Sequence, residues 1–309
     1  MATLLDLLAL CRVRDVSWYF VGRQAQRPGG LDDLLAGRTT EKSDEAQQSL
    51  AALASAEADL PAHREVIGAL LADMAARDVR VTSVLDDDYP VNLRTVFNLP
   101  PFLFYRGELQ KADAWSVAVV GTRQASLEGI EQAQRLVRQL VEAGVTVLSG
   151  LARGIDTAAH ESCLASGGRT VAVVGTGILR TYPPENADLA DRIAATGAVV
   201  SQFWPDTPPT TYSFPRRNIT MSGMAQGTVV IEASATSGAK LQARRALEHG
   251  RRLFLPAELV RQREWAQRYV KRPGAIEVNS VDDIVRLLQS PESIQVRSEG
   301  RRQLTLFLS

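Results

Sequence analysis

Three glycines carry the first chemical signal in this sequence. Gly121, Gly150 and Gly175 each close an apolar run: SVAVVG over 116–121, VTVLSG over 145–150 and TVAVVG over 170–175. Continuous apolar runs suit parallel strands buried on both faces. An open α/β sheet places its binding crevice at the carboxyl ends of such strands. Glycine there lets a phosphate approach the backbone, and the helix N-termini that follow offer free N–H groups. Beside these glycines stand Thr122-Arg123 and the run Ser149-Gly150-Leu151-Ala152-Arg153-Gly154. A further segment, Tyr212-Ser213-Phe214-Pro215-Arg216-Arg217-Asn218, holds two aromatics, two arginines and an amide within seven residues. Aromatic rings stack on exposed bases, and guanidinium groups pair with phosphates. Single-stranded nucleic acid presents both. A loop with Phe214 packed inward and one arginine paired with a surface acid would use the same residues.

The spacing excludes two common phosphate loops. After Gly121 the chain reads Thr-Arg-Gln-Ala-Ser, so the GxGxxG dinucleotide fingerprint is absent, and there is no GxxxxGK[ST] loop. No cofactor is expected. Catalytic constellations are missing too. His63, His160 and His249 are scattered, and no zinc-ligand spacing accompanies them. His160 follows Asp156 by one helical turn and reads as a satisfied helix histidine. Glu232 ends an apolar run and faces the crevice, where a lone carboxylate could bind a ribose hydroxyl or cap a loop. Without a nucleophile beside a base, the expectation is binding rather than catalysis. A nucleotide or phosphoribosyl hydrolase would have to rest on Glu232 alone.

Formal net charge is zero, but it is unevenly placed. Residues 1–105 hold 10 basic against 15 acidic residues, whereas the window 212–272 holds 12 against 4. A concentrated positive field suits an anionic polymer. Arginine supplies 31 of the 35 cations; a GC-rich genome would bias the ratio the same way but would not cluster the charges. Two cysteines, Cys11 and Cys163, are too few for a disulfide framework. With no apolar run of about 18 residues and no signal-peptide pattern, the expected location is cytoplasmic, with no membrane partner.

The elements that must position these residues follow from pattern. Residues 1–84 read as a mainly helical N-terminal domain, with a short strand near 79–84. Residues 85–290 read as an extended Rossmann-like α/β domain, a doubly wound parallel sheet. Its entry is the proline-led run Pro100-Pro101-Phe102-Leu103-Phe104-Tyr105. Strands are expected at 116–121, 145–150, 170–175, 198–202, 227–233 and 252–256. Helices are expected from Ser126 to about Ala143, from Gly154 to about Ala165, near Ala187–Ala195 and over Gly238–His249. A short strand and a closing helix fill Ile276–Leu288. Residues 291–309 form a short tail rich in arginine and serine.

Read together, these motifs resemble the DNA-processing protein A (DprA/Smf) family. The resemblance covers roughly residues 85–290. It rests on AVVGTRQAS, SGLARGID with a following AH, YPPEN, FPRRN and VVIEASATSGAKLQARRALEHGR, in that order. Ile219 stands where the family commonly has a further arginine, and Leu255-Pro256-Ala257 replaces its usual VPG. Many members of that family carry a C-terminal winged-helix-like domain, where this sequence is expected to have only a short tail. The resemblance implies a homodimer that binds single-stranded DNA and loads a RecA-type recombinase. It maps the family's DNA pocket onto Gly121, Arg123, Ser149, Gly150, Phe214, Arg216, Arg217 and Asn218. Arg153 lies in the same turn as Gly150, and Lys240, at a helix start, could add a phosphate contact. A regulator or sensor that works with a toxin or defence effector would use the same crevice.

Overall fold

The structure, a computed structural model, describes residues 2–290 and residue 293. The tail expected over 291–309 otherwise lies outside the described residues. Five helices open the chain: α1 (Leu4–Arg12), α2 (Trp18–Ala25), α3 (Gly30–Leu35), α4 (Asp44–Ser55) and α5 (Leu60–Ala76). Two strands follow, β1 (Arg80–Ser83) and β2 (Phe102–Gly107). Alternation then sets in: β3 (Ser116–Val120), α6 (Leu127–Glu142), β4 (Thr146–Ser149), α7 (Ile155–Ala165), β5 (Thr170–Val173), α8 (Ala187–Thr196) and β6 (Ala198–Ser201). The second half holds α9 (Ser213–Met224), β7 (Gly227–Val230), α10 (Gly238–Glu248), β8 (Arg252–Pro256), α11 (Ala257–Gln262), α12 (Glu264–Tyr269), β9 (Ala275–Val278) and α13 (Val281–Val285).

The strands form one sheet in the order β1-β2-β6-β5-β4-β3-β7-β8-β9. From β6 to β9 neighbouring strands run parallel, as the βα alternation predicts. β1 and β2 extend that sheet with antiparallel pairing. Winding proceeds one way from β3 to β6 and the other way from β7 to β9, so the topological switch lies between β3 and β7.

Alternate residues of each strand feed opposite faces, which is why the central strands β3 to β7 are buried along their whole length and mostly apolar. Val117 and Val119 of β3 join a core with Val137 and Leu140 of α6, Ala159 of α7 and Ile284 of α13. Ala118 and Val120 face the other core, shared with Met221 and Met224 of α9, Ala243 of α10 and the N-terminal helices. Those helices are tied to the sheet by an aromatic cluster. Trp18 of α2 meets Phe102 of β2 at 5.0 Å and Trp204 at 5.5 Å between ring centroids. Serines cap the N-termini of several helices by accepting a backbone N–H: Ser126 takes Gly129 N at α6, and Ser237 takes Lys240 N at α10.

Every strand expected between 116 and 256 is present, as are the four helices that separate them. The sequence reading assigned no element to 213–224 or 257–269, which are α9, α11 and α12. α9 matters most, because it carries the FPRRN segment.

Candidate nucleic-acid interface

Parallel pairing brings the turns after β3, β4 and β5 to one edge of the sheet. α9 begins beside them. Phe214, Arg217 and Asn218 are three and four residues apart, so they share one helical face, and Arg216 lies off it.

Phe214 is half-buried. One edge of its ring rests on Gly175, where an added Cβ would lie 2.7 Å from Cδ1 and 3.0 Å from Cε1. Arg123, exposed after β3, sets its guanidinium 5.0 Å from the ring centroid, within cation–π range. Tyr182, on the loop between β5 and α8, meets the same ring at 5.7 Å and 51°. Its side is open to solvent, with 37% of the residue exposed.

Arg217 lies beneath this surface, only 6% exposed. Its Nη1 donates to the carbonyl of Val173, at the end of β5, at 2.8 Å. The guanidinium lies flat against Gly150: a Cβ there would stand 1.5 Å from Nη1. Only glycine leaves that space for the buried arginine. The Asp156 carboxylate of α7 accepts the backbone N–H of Gly150 at 3.2 Å and of Ala152 at 3.4 Å. Burial pushes the Asp156 pKa up, although Arg217 and those amides pull it down. Burial likewise lowers Arg217, opposed by the Asp156 charge. The two opposite charges thus offset part of one another's desolvation. Beneath them His160 is held neutral, its pKa pushed down to about 3 by burial and then by Arg217. Its Nδ1 lies 2.7 Å from the Thr170 hydroxyl, while its buried Nε2 makes no hydrogen bond among the described residues.

The turn over 149–154 is fixed at several points. Ser149, fully buried, donates its hydroxyl to the Val119 carbonyl at 2.6 Å and ties β4 to β3. Leu151 adopts a left-handed φ of 58°, costly for a branched residue. Its carbonyl accepts from Asn186 Nδ2 at 2.9 Å, and the same nitrogen donates to Thr157 Oγ1 at 2.9 Å. Arg153 projects outward and is ion-paired with Glu185.

Glu232 follows β7 at the switch point, where a Rossmann phosphate would sit. Its Oε2 accepts the Ser126 amide at 3.0 Å and the Ser126 hydroxyl at 3.1 Å, both at the start of α6. The protein's own carboxylate therefore fills the anion position at that helix N-terminus. Of the two roles open to it in sequence, it takes that of a cap.

The expected site residues thus divide into layers. Arg123, Arg153 and Phe214 line the strand-end shelf beside the half-buried Gly121, and the buried Gly150 lies against Arg217 beneath it. Ser149, Arg217 and Asn218 are buried and shape it from below, because the face of α9 that presents Phe214 also drives Arg217 and Asn218 inward. Arg216 is exposed on another face, where its charge acts on Tyr19 of α2. Lys240 turns back on its own loop and donates to the Ala235 carbonyl at 3.0 Å. Sequence reasoning gave no site role to Asp156, Tyr182 or Asn186, although the SGLARGID and YPPEN motifs contain them. Helical periodicity in FPRRNITM was the signal that would have exposed the buried face of α9. Among the described residues no group of three or more His, Cys, Asp or Glu side chains is placed to hold a metal ion. No helix among them is long and apolar enough to cross a membrane.

Comparison with known proteins bears on this geometry. Residues 80–289 match the family model described as DNA recombination-mediator protein A. The chain is 37% identical over 204 residues to the DNA processing protein DprA of Streptococcus pneumoniae, covering 66% of this chain and 72% of that one. It is 39% identical over 203 residues to Protein Smf of Escherichia coli, covering 65% of this chain and 54% of that one. The X-ray structure of the Streptococcus pneumoniae DprA superposes with a TM-score of 0.75 at 29% identity, covering 94% of this chain and 99% of the other. That overlap takes in N-terminal helices the sequence did not connect to the family. DNA processing protein A from Helicobacter pylori, whose structure is described for its single-stranded DNA binding mode, shares the fold with a TM-score of 0.59 at 22% identity, over 67% of this chain and 94% of that one. With more than half of its length matched by the family model, the chain belongs to the DNA recombination-mediator protein A family.

Proposed function

We propose that this protein binds single-stranded DNA along the carboxyl edge of its sheet and passes it to a RecA-type recombinase. It does so as a homodimer and by binding, without chemical turnover. One observation carries this reading: the exposed Arg123 guanidinium lies over the Phe214 ring, with the Tyr182 ring beside it on the strand-end shelf. Cations and open rings in one place suit a strand whose bases are unpaired, since a duplex hides its base faces. Glu232 supports a polymer over a free nucleotide, because it already fills the phosphate position at the start of α6. The single-stranded DNA binding described for the Helicobacter pylori relative supports the ligand, and the family's description as a recombination mediator supports the recipient.

The test is a fluorescence-anisotropy titration of a labelled oligodeoxythymidylate across a salt series. The protein is expected to bind it, with log affinity falling by about 0.7 per log unit of salt for each phosphate engaged. Unlabelled single strand displaces the probe, and equal amounts of duplex do not. Equal displacement by duplex would reject the reading.

A further inference from the structure

Glu232 stands where a doubly wound sheet ordinarily takes its ligand. β3 and β7 are parallel neighbours, and the chain winds away from them in opposite directions. The turns that leave their carboxyl ends therefore flank the crevice of the switch point. One side of it is the turn over 121–126 with the start of α6. The other is the turn that leaves β7, and Glu232 lies at its head.

Glu232 is fastened across that crevice at both ends of the opposite turn. Its backbone carbonyl accepts the Thr122 N–H at 2.7 Å. Its Oε2 accepts the Ser126 N–H at 3.0 Å and the Ser126 hydroxyl at 3.1 Å. The carboxylate also presses on the first turn of α6, where a Cβ added to Gly129 would lie 2.2 Å from Oε2. A helix N-terminus favours an anion through its unpaired N–H groups and its dipole. The phosphate of a free nucleotide would need this same place. It would meet a fixed negative charge and no room. A strand is not excluded in this way, because its hold is spread over the cations and rings of the shelf.

We propose that Glu232 is a specificity-determining residue, a tethered anion that keeps free phosphate and mononucleotides out of the switch-point crevice and reserves the carboxyl edge for a strand. The inference rests on the single-strand reading above and adds to it the exclusion of single nucleotides and the residue that enforces it. Charge and bulk act separately. Glu232→Gln removes the charge but keeps the bulk and an acceptor for the Ser126 N–H. Glu232→Ala removes both.

The experiment is equilibrium dialysis of the full chain against radiolabelled thymidine 5′-monophosphate. Glu232→Ala is expected to bind it at least about tenfold more tightly than wild type, the size of a well-placed charge at a helix N-terminus. Glu232→Gln falls between the two. Inorganic phosphate displaces the nucleotide from Glu232→Ala, and thymidine, which has no phosphate, does not. If neither variant binds more tightly than wild type, or if thymidine displaces the nucleotide as well as phosphate does, Glu232 does not set the specificity. Circular dichroism checks the fold of each variant, and should Glu232→Ala not fold, Glu232→Gln carries the comparison with wild type. Failure of wild type to bind a labelled oligodeoxythymidylate is a separate result. It sinks the single-strand reading, whereas the dialysis reads Glu232 alone.

Discussion

Arg217→Ala is expected to destabilise the protein by about 3 kcal/mol, because it leaves the Asp156 carboxylate buried without its opposing charge. That is a large share of the roughly 5–15 kcal/mol that holds a typical domain folded. The loss shows in urea unfolding as a lower midpoint with an unchanged slope. Arg217→Lys recovers little, since an ammonium cannot lie flat against Gly150 while bonding to the Val173 carbonyl. The double variant Arg217→Met with Asp156→Leu is expected to lose less than Arg217→Ala, because it leaves no unpaired buried charge. If Arg217→Ala unfolds like wild type and merely reduces the salt dependence of DNA binding, Arg217 is a ligand contact and its structural role is refuted.

Arg123→Ala and Phe214→Ala act on binding instead. Arg123 is exposed, so its loss spares the fold while removing one phosphate contact. Affinity for a labelled single strand is expected to fall roughly tenfold, and the salt slope by about 0.7. Phe214→Ala removes a ring and the support beneath Arg123 together. About 1–3 kcal/mol of binding goes with a stacked ring, and Arg123 loses its seat as well. The two substitutions are therefore expected to be less than additive in the double variant, since both dismantle one cation–π pair. Strict additivity in anisotropy titrations would mean that the ring and the guanidinium act independently.

Much of this arrangement was legible in the sequence, for identifiable reasons. The runs ending at Gly121, Gly150 and Gly175 are mostly apolar on both faces, as strands of a doubly covered parallel sheet are. Glycine at their ends marked the edge where the turns after β3, β4 and β5 meet. What the glycines were for was less visible. Gly150 reads in sequence as room for a phosphate, yet the space is taken by Arg217, a long-range contact that no local spacing encodes. The charge window over 212–272 grouped Arg216, Arg217 and Lys240 as equals. In the fold, the helical phase of α9 sends Arg217 inward and leaves Arg216 outside, and Lys240 bonds to its own loop. In sequence Tyr182 is only the start of the YPPEN motif, because its place in the site depends on Phe214, 32 positions later, standing beside it. The family motifs name these residues together, but only packing sorts those that touch solvent from those that hold the shelf in shape.

The location of the bound strand is the central claim, and photo-crosslinking tests it most directly. An oligodeoxythymidylate carrying 4-thiothymidine is bound, irradiated and digested with the protein, and the linked peptides are identified by mass spectrometry. Crosslinks are predicted in 121–124, 150–154, 180–185 and at the start of α9, all on the carboxyl edge of the sheet, and the Arg123→Ala variant should lose most of them. Crosslinks confined to α12, or to the N-terminal helices, with none on that edge would contradict the account.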